Sequence, residues 1–210
     1  MGDFIWIGAA PGSRGDMLPL RHDFSSDDVA AEPFLRMARQ MIKEGEPLAR
    51  DFFPTAIWGS SNNSCEQYDF PDLFYANGFW VVSNAAADVL QQFNLGGGGL
   101  YPTKLLKRDK TSTVEGEWFC FNVGNKKDAL VASESTSLRE RYIREGQKGW
   151  FPKTTIKDGD IVVLRTVDVG ADVWIDRNVG GAFFLSEPLG LALQRARADT
   201  GFFLNKCRVV

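Results

Sequence analysis

Residues 77–106 read NGFWVVSNAAADVLQQFNLGGGGLYPTKLL, and residues 179–210 read VGGAFFLSEPLGLALQRARADTGFFLNKCRVV. When Ser83 is aligned with Ser186, both stretches show a glycine, four apolar residues, the serine and an apolar segment with helical spacing. The aligned pairs are Gly78 and Gly181, Trp80 and Phe183, Val81 and Phe184, Val82 and Leu185, Leu90 and Leu193, and Gln91 and Gln194. Each stretch closes with glycine and a second apolar run. The chain therefore contains two similar units, near residues 77–106 and 179–206.

Each unit is predicted to form a strand, a helix and a second strand. Four bulky apolar residues after a glycine are typical of a strand that is buried on both faces. Ser83 and Ser186 then stand where a helix begins, so their side-chain oxygens can accept a hydrogen bond from a free backbone N–H group. A nucleophilic serine would instead need a nearby base, and the chain has one histidine. We predict that both serines are structural helix caps.

Composition narrows the class of protein. The chain has 210 residues, of which 44% are hydrophobic and 12% aromatic, which favours a folded domain over disorder. It has no run of eighteen apolar residues, and its first ten residues lack the basic start of a signal peptide. The three cysteines are widely spaced, which indicates free thiols rather than a disulfide framework or a zinc site. We expect a cytoplasmic protein with no membrane partner, cofactor, metal site or assigned catalytic residue.

The remaining sequence predicts an α+β fold, a mixed or antiparallel sheet with helices packed on it, in a single domain over residues 1–210. Apolar runs predict strands at 3–7, 53–58, 117–123, 160–167 and 172–175. Helical spacing predicts one helix from the capping residues 25–28 to Gly45 and another at 137–147, with Leu138 and Tyr142 facing inward. The glycines at 96–99 are predicted to end the helix of the first unit. His22 is expected in a solvent-exposed loop.

Charge is distributed unevenly along the chain. No lysine or arginine lies between Arg50 and Lys104, although this segment carries five carboxylates and many aromatic residues. The following fifty residues are rich in lysine and arginine, but acidic residues interrupt them. A continuous basic surface for nucleic acid is therefore not indicated.

Several segments resemble a family of bacterial proteins. They are Gly78–Ser83 with its helix, the Tyr101–Pro102 step, Trp118–Val123, Val173–Asp176, Phe183–Ser186 and Thr200–Phe202. The sequence is similar to a domain of unknown function that overlaps the group called immunity protein 43 of polymorphic toxin systems. The likeness covers residues 72–210 and leaves residues 1–71 as a divergent N-terminal part. It implies a non-enzymatic intracellular antidote that binds a cognate toxin, and it brings no catalytic residues.

On this interpretation the toxin-facing surface is expected in the segment without basic residues. Exposed carboxylates there would attract a basic toxin surface, and a tyrosine would add contact area, so the candidate partner-binding residues are Glu66, Tyr68, Asp69 and Asp72. The identity of the toxin and the oligomeric state stay open.

Two other classes of function remain open on the sequence. A small hydrolase or transferase could use carboxylates in an aromatic-lined pocket, either Asp69 with Asp72 or Asp158 with Asp160. Nucleic acid could bind through residues 104–127 and 139–148, although the sequence favours this least.

Overall fold

The computed structural model describes residues 3–9, 20–24, 32–59, 69–144, 146–167 and 170–210. The helices are α1 (Glu32–Lys43), α2 (Asn84–Leu90) and α3 (Glu187–Ala196). The strands are β1 (Ile5–Ala9), β2 (Leu20–His22), β3 (Ala56–Gly59), β4 (Leu73–Ala76), β5 (Phe79–Ser83), β6 (Gly99–Leu106), β7 (Trp118–Asn122), β8 (Lys126–Lys127), β9 (Leu138–Arg144), β10 (Gln147–Pro152), β11 (Val162–Val163), β12 (Val173–Asp176), β13 (Ala182–Ser186) and β14 (Leu204–Val209). The predicted α+β class is confirmed.

Over these ranges the strands form two mixed six-stranded sheets and one separate hairpin. The first sheet has the order β4-β5-β7-β6-β3-β2, and the second has the order β8-β12-β13-β1-β14-β11. Strands β9 and β10 pair with each other as the hairpin. No helix in the described part of the chain is long and apolar enough to cross a membrane.

Five strands of each sheet have the same spatial arrangement, which is built around the strand, helix and strand that the sequence repeat predicted. In the first sheet, the hairpin β4–β5 leads through α2 into β6, and β7 lies antiparallel between β5 and β6. In the second, the hairpin β12–β13 leads through α3 into β14, and β1 lies antiparallel between β13 and β14. In the first sheet β3 pairs in parallel with β6, and in the second sheet β11 pairs in parallel with β14. Both units therefore form the predicted strand, helix and strand.

Alternating side chains bury both faces of the central strands. Trp80 and Val82 of β5 point into a core that also contains Phe183 and Leu185 of β13 together with residues of α2 and α3. The opposite face of the first sheet packs against α1, and the opposite face of the second sheet packs against residues of the segment 129–163. The aligned residues Trp80 and Phe183 contact each other edge to face, with ring centroids 5.3 Å apart. The two units therefore share one core.

The predicted helix over residues 137–147 is wrong, because this segment forms β9 and the start of β10. Glu140 lies opposite Trp150, and Leu138 lies opposite Pro152. Gly146, with a φ of 73°, makes the turn that separates the two strands. Leucine, arginine and glutamate favour helices, but pairing with β10 overrides that weak preference.

The glycines at 96–99 do not end a helix, since α2 stops at Leu90. They allow two backbone segments to approach closely. A Cβ atom on Gly97 would lie 2.8 Å from the Gly124 carbonyl oxygen, and one on Gly98 would lie 2.4 Å from that of Val123. Asn125 fixes this contact by donating from Nδ2 to the carbonyl groups of Leu95, Val123 and Val173 and accepting from the Gly97 N–H group. The prediction failed because helical spacing does not show which backbone segments meet in the fold.

The first helix, α1, is described over Glu32–Lys43, and the predicted capping residues 25–28 lie outside the described residues. Its buried side chains are Leu35, Ala38 and Ile42. These residues follow the predicted helical spacing, which places α1 against the first sheet.

Candidate functional site

The four candidate partner-binding residues do not form one described site. Glu66 and Tyr68 lie outside the described residues. Asp69 is exposed and makes no hydrogen bond or ion pair with the described part of the chain. Asp72 is partly buried, and its carboxylate is held by internal partners. Of the two described candidates, only Asp69 therefore leaves its carboxylate available to a partner.

Asp72 connects the first unit to the second. Its Oδ1 accepts a hydrogen bond of 2.7 Å from the Ser83 hydroxyl group, whose oxygen accepts the Ala86 N–H group at the start of α2. Its Oδ2 accepts the N–H and hydroxyl groups of Thr200, which follows α3. One carboxylate therefore orients the cap of its own helix and fixes the loop after the other helix.

Asp172 has the equivalent place in the second unit. Like Asp72, it immediately precedes the first strand of its hairpin, and its carbonyl group accepts from the N–H group of the capping serine. Its Oδ2 accepts the N–H group of Asn94, which follows α2, at 2.9 Å. Ser186 caps α3 by accepting from Leu189, as predicted. We call the Asp72–Thr200 and Asp172–Asn94 contacts together the reciprocal clasp.

The second carboxylate pair of the enzyme hypothesis, Asp158 and Asp160, is also held by backbone groups. Asp158 accepts the Lys206 N–H group at 2.8 Å, and Asp160 accepts the Lys157 N–H group at 2.9 Å. A further hydrogen bond from the Ser137 hydroxyl group is the largest factor that lowers the pKa of Asp160. A catalytic acid needs a raised pKa, so this geometry favours a structural role in a turn.

A shallow groove of about 290 Å³ lies between β6, β7 and the loop that connects them. It is lined by Trp118, Phe119 and apolar residues, with Lys104 and Glu117 as its charged groups. Glu117 is the one carboxylate that lines this groove, whereas the enzyme hypothesis requires a pair of carboxylates. In the described ranges no group of three or more histidine, cysteine, aspartate or glutamate residues could hold a metal ion.

His22 lies in β2 and is fully buried, so the prediction of an exposed loop position is wrong. The sequence around it is polar, but pairing of β2 with β3 brings the imidazole ring against Phe79, with ring centroids 5.0 Å apart. Its Nε2 lies 3.3 Å from the carbonyl oxygen of Asn77, which also accepts a hydrogen bond from Arg39. Burial lowers the pKa of His22 to about 4, and the nearby Arg39 acts in the same direction. A buried neutral histidine is therefore part of the core.

Replacing Asp72 with alanine should lower the free energy of unfolding by about 1–2 kcal/mol, because three hydrogen bonds to a partly exposed carboxylate are lost. Replacing Asp69 with alanine is the matched control, since that side chain is exposed, and it should change stability by less than about 0.5 kcal/mol. Urea unfolding of the two variants measures the difference. Equal free energies of unfolding for the two variants would contradict a stabilising role of the reciprocal clasp.

Stability should also decrease in mild acid because of His22. Its pKa is about 4 in the folded protein and 6.5 in the unfolded chain, so the unfolded chain binds more protons between these values. The contribution of His22 is complete above pH 6.5 and is lost as the pH falls. From about pH 7.5 to about pH 5 the free energy of unfolding should decrease by about 2 kcal/mol. The variant His22→Gln should show a much smaller decrease, and an equal decrease would contradict this explanation.

A family model matches most of the chain. The sequence model described as "Immunity protein family (Imm11)" matches residues 60–209. This range contains both repeat units and both halves of the reciprocal clasp. No curated protein matches the chain.

Proposed function

The chain belongs to the immunity protein family Imm11, whose sequence model matches most of its length, and from this premise we propose that it neutralises a cognate bacterial toxin by binding it, without catalysing a reaction. The family match confirms the predicted resemblance to an immunity-protein family. The group named from the sequence was immunity protein 43, and the family whose model matches is Imm11. We further propose that the protein acts in the bacterial cytoplasm, where it would meet the toxin.

The family match is the observation that supports this proposal most strongly. The chemistry of the described residues is compatible with it, since a binding protein needs an exposed complementary surface and a stable framework. Asp158 and Asp160, one of the two carboxylate pairs that the sequence offered for catalysis, are engaged in turns. Both capping serines serve helices.

We propose that the toxin-facing surface includes Glu66, Tyr68 and Asp69, with Asp72 at its border. The segment between Arg50 and Lys104 has no basic residue, so carboxylates there would present negative charge to a basic toxin surface. Asp69 has the exposure that such a role needs. Asp72 would fix the end of this segment through the clasp while its neighbours make the contact.

Co-expression tests the function. The protein encoded by the adjacent gene should stop growth when it is produced alone, and growth should recover when this chain is produced with it. The two proteins should also co-purify as a complex, because neutralisation by binding requires lasting contact. Recovery of growth without any isolable complex would contradict a binding mechanism, and absence of recovery would contradict the immunity role.

Charge reversal tests the proposed surface. The double variant Glu66→Lys with Asp69→Lys should weaken binding to the same protein by about tenfold or more, because attraction becomes repulsion. Asp72 is left unchanged, since its loss would disturb the fold. The control is Asp88→Lys, which changes an acidic residue of α2 in the same basic-free segment. Calorimetry of wild type and variants gives the affinities, and unchanged binding of the double variant would exclude this surface.

A further inference from the structure

The hairpin β9–β10 is firmly anchored at one end. The backbone N–H group of Trp150 donates to the Asn178 carbonyl group, and its carbonyl group accepts from the Gly180 N–H group. The Phe151 ring packs so closely on Gly180 that a Cβ atom there would lie 2.4 Å from the ring. Leu138 and Pro152, which form the base of the hairpin, are both buried. These contacts fix the direction in which the hairpin leaves the second sheet.

The other end of the hairpin is exposed. Tyr142 has 68% of its surface accessible, the largest value among the exposed large apolar side chains of the described residues. Arg141, Gly146, Gln147 and Lys148 are exposed as well. An exposed tyrosine next to arginine is the composition that is enriched at the energetic centres of protein interfaces.

Two arginines on β9 face the same way and have no carboxylate partner among the described residues. Alternate residues of a strand share a face, so Arg139 and Arg141 lie on one side of the hairpin. Their Cα atoms are about 7 Å apart. Opposite them on β10 are Phe151 and Gly149, neither of which carries charge. Four other basic residues form ion pairs within the described ranges, among them Lys148 with Glu140 on the other face, but neither arginine does. The Nε atom of Arg139 is buried without an acceptor in this part of the chain.

Among the described residues, one backbone edge of β9 is not paired with another strand. This seven-residue strand pairs with β10 on one side, and no other described strand pairs with it on the other. An open edge presents free N–H and C=O groups to which an extended segment of another protein can add as a further strand.

We infer that the β9–β10 hairpin is a second toxin-contacting surface, which binds an extended acidic segment of the toxin. This inference rests on the proposed function. The segment pairs with the β9 edge through backbone hydrogen bonds, and its carboxylates reach the guanidinium groups of Arg139 and Arg141. Tyr142 adds contact area at the exposed end.

The pattern favours a protein partner over nucleic acid. Residues 138–152 carry four basic and two acidic residues, and Glu140 forms an ion pair with Lys148, so acidic groups interrupt the basic ones. Phosphate binding depends on several unpaired basic groups, whereas strand addition uses the backbone edge and needs few charges.

Arg141→Glu is the decisive variant, because the side chain is exposed and its loss should leave the fold intact. Its affinity for the protein encoded by the adjacent gene should decrease about tenfold or more, while the control Arg36→Glu, exposed on α1, should change affinity by less than about twofold. Amide hydrogen exchange of residues 139–143 should slow in the wild-type complex, since strand addition would protect the free edge.

The outcomes separate the two proposals. If the wild-type complex forms and Arg141→Glu binds equally well, or the β9 amides exchange at an unchanged rate, the hairpin proposal is wrong and the proposed function stands. If wild type binds no toxin, the proposed function fails and the hairpin proposal with it. If Arg141→Glu loses affinity for a short DNA duplex and keeps its affinity for the toxin, the hairpin serves nucleic acid and the proposal is overturned.

Discussion

Two aspartates, each one residue before the first strand of its unit, hold the halves of this protein together. Asp72 binds the loop after α3, and Asp172 binds the loop after α2, so each unit fixes the end of the other unit's helix. A carboxylate that accepts backbone N–H groups at a helix-associated loop satisfies donors that would otherwise need water. Because the contact is made in both directions, the relative position of the two sheets is fixed twice. The shared core can then be packed by side chains from both sheets.

The described core is filled by side chains with structural roles. The central strands bury both faces, and the cores on either side are filled by aromatic and aliphatic side chains. The two capping serines and the carboxylates of Asp72, Asp158 and Asp160 instead serve the framework, in helix caps, in the reciprocal clasp and in turns. Under the proposed function, the toxin would be bound at the surface. The acidic segment before β4 and the basic hairpin β9–β10 would present opposite charges to different parts of that toxin.

The sequence predicted the repeat because the repeat is local. Ser83 and Ser186 each follow four apolar residues, and this pattern determines a buried strand and a capped helix without long-range information. The sequence could not predict features that depend on contacts between distant segments. Tyr142 was predicted inside a helix because its neighbours favour helices, and only pairing with β10 exposes it. Asp72 is predicted as a surface residue because its partner Thr200 is 128 positions away in the chain, and a local sequence pattern does not reveal such a contact. His22 was misplaced for the same reason, since its environment comes from Asn77 and Phe79.

The measurement that tests the central claim most directly is a titration of toxin activity with this protein at concentrations far above the dissociation constant. A binding antidote should remove activity linearly and completely at one molecule per toxin, and dilution below the dissociation constant should restore it. Complete loss of activity at a small fraction of that ratio, without recovery on dilution, would mean that the protein acts catalytically, and it would contradict neutralisation by binding.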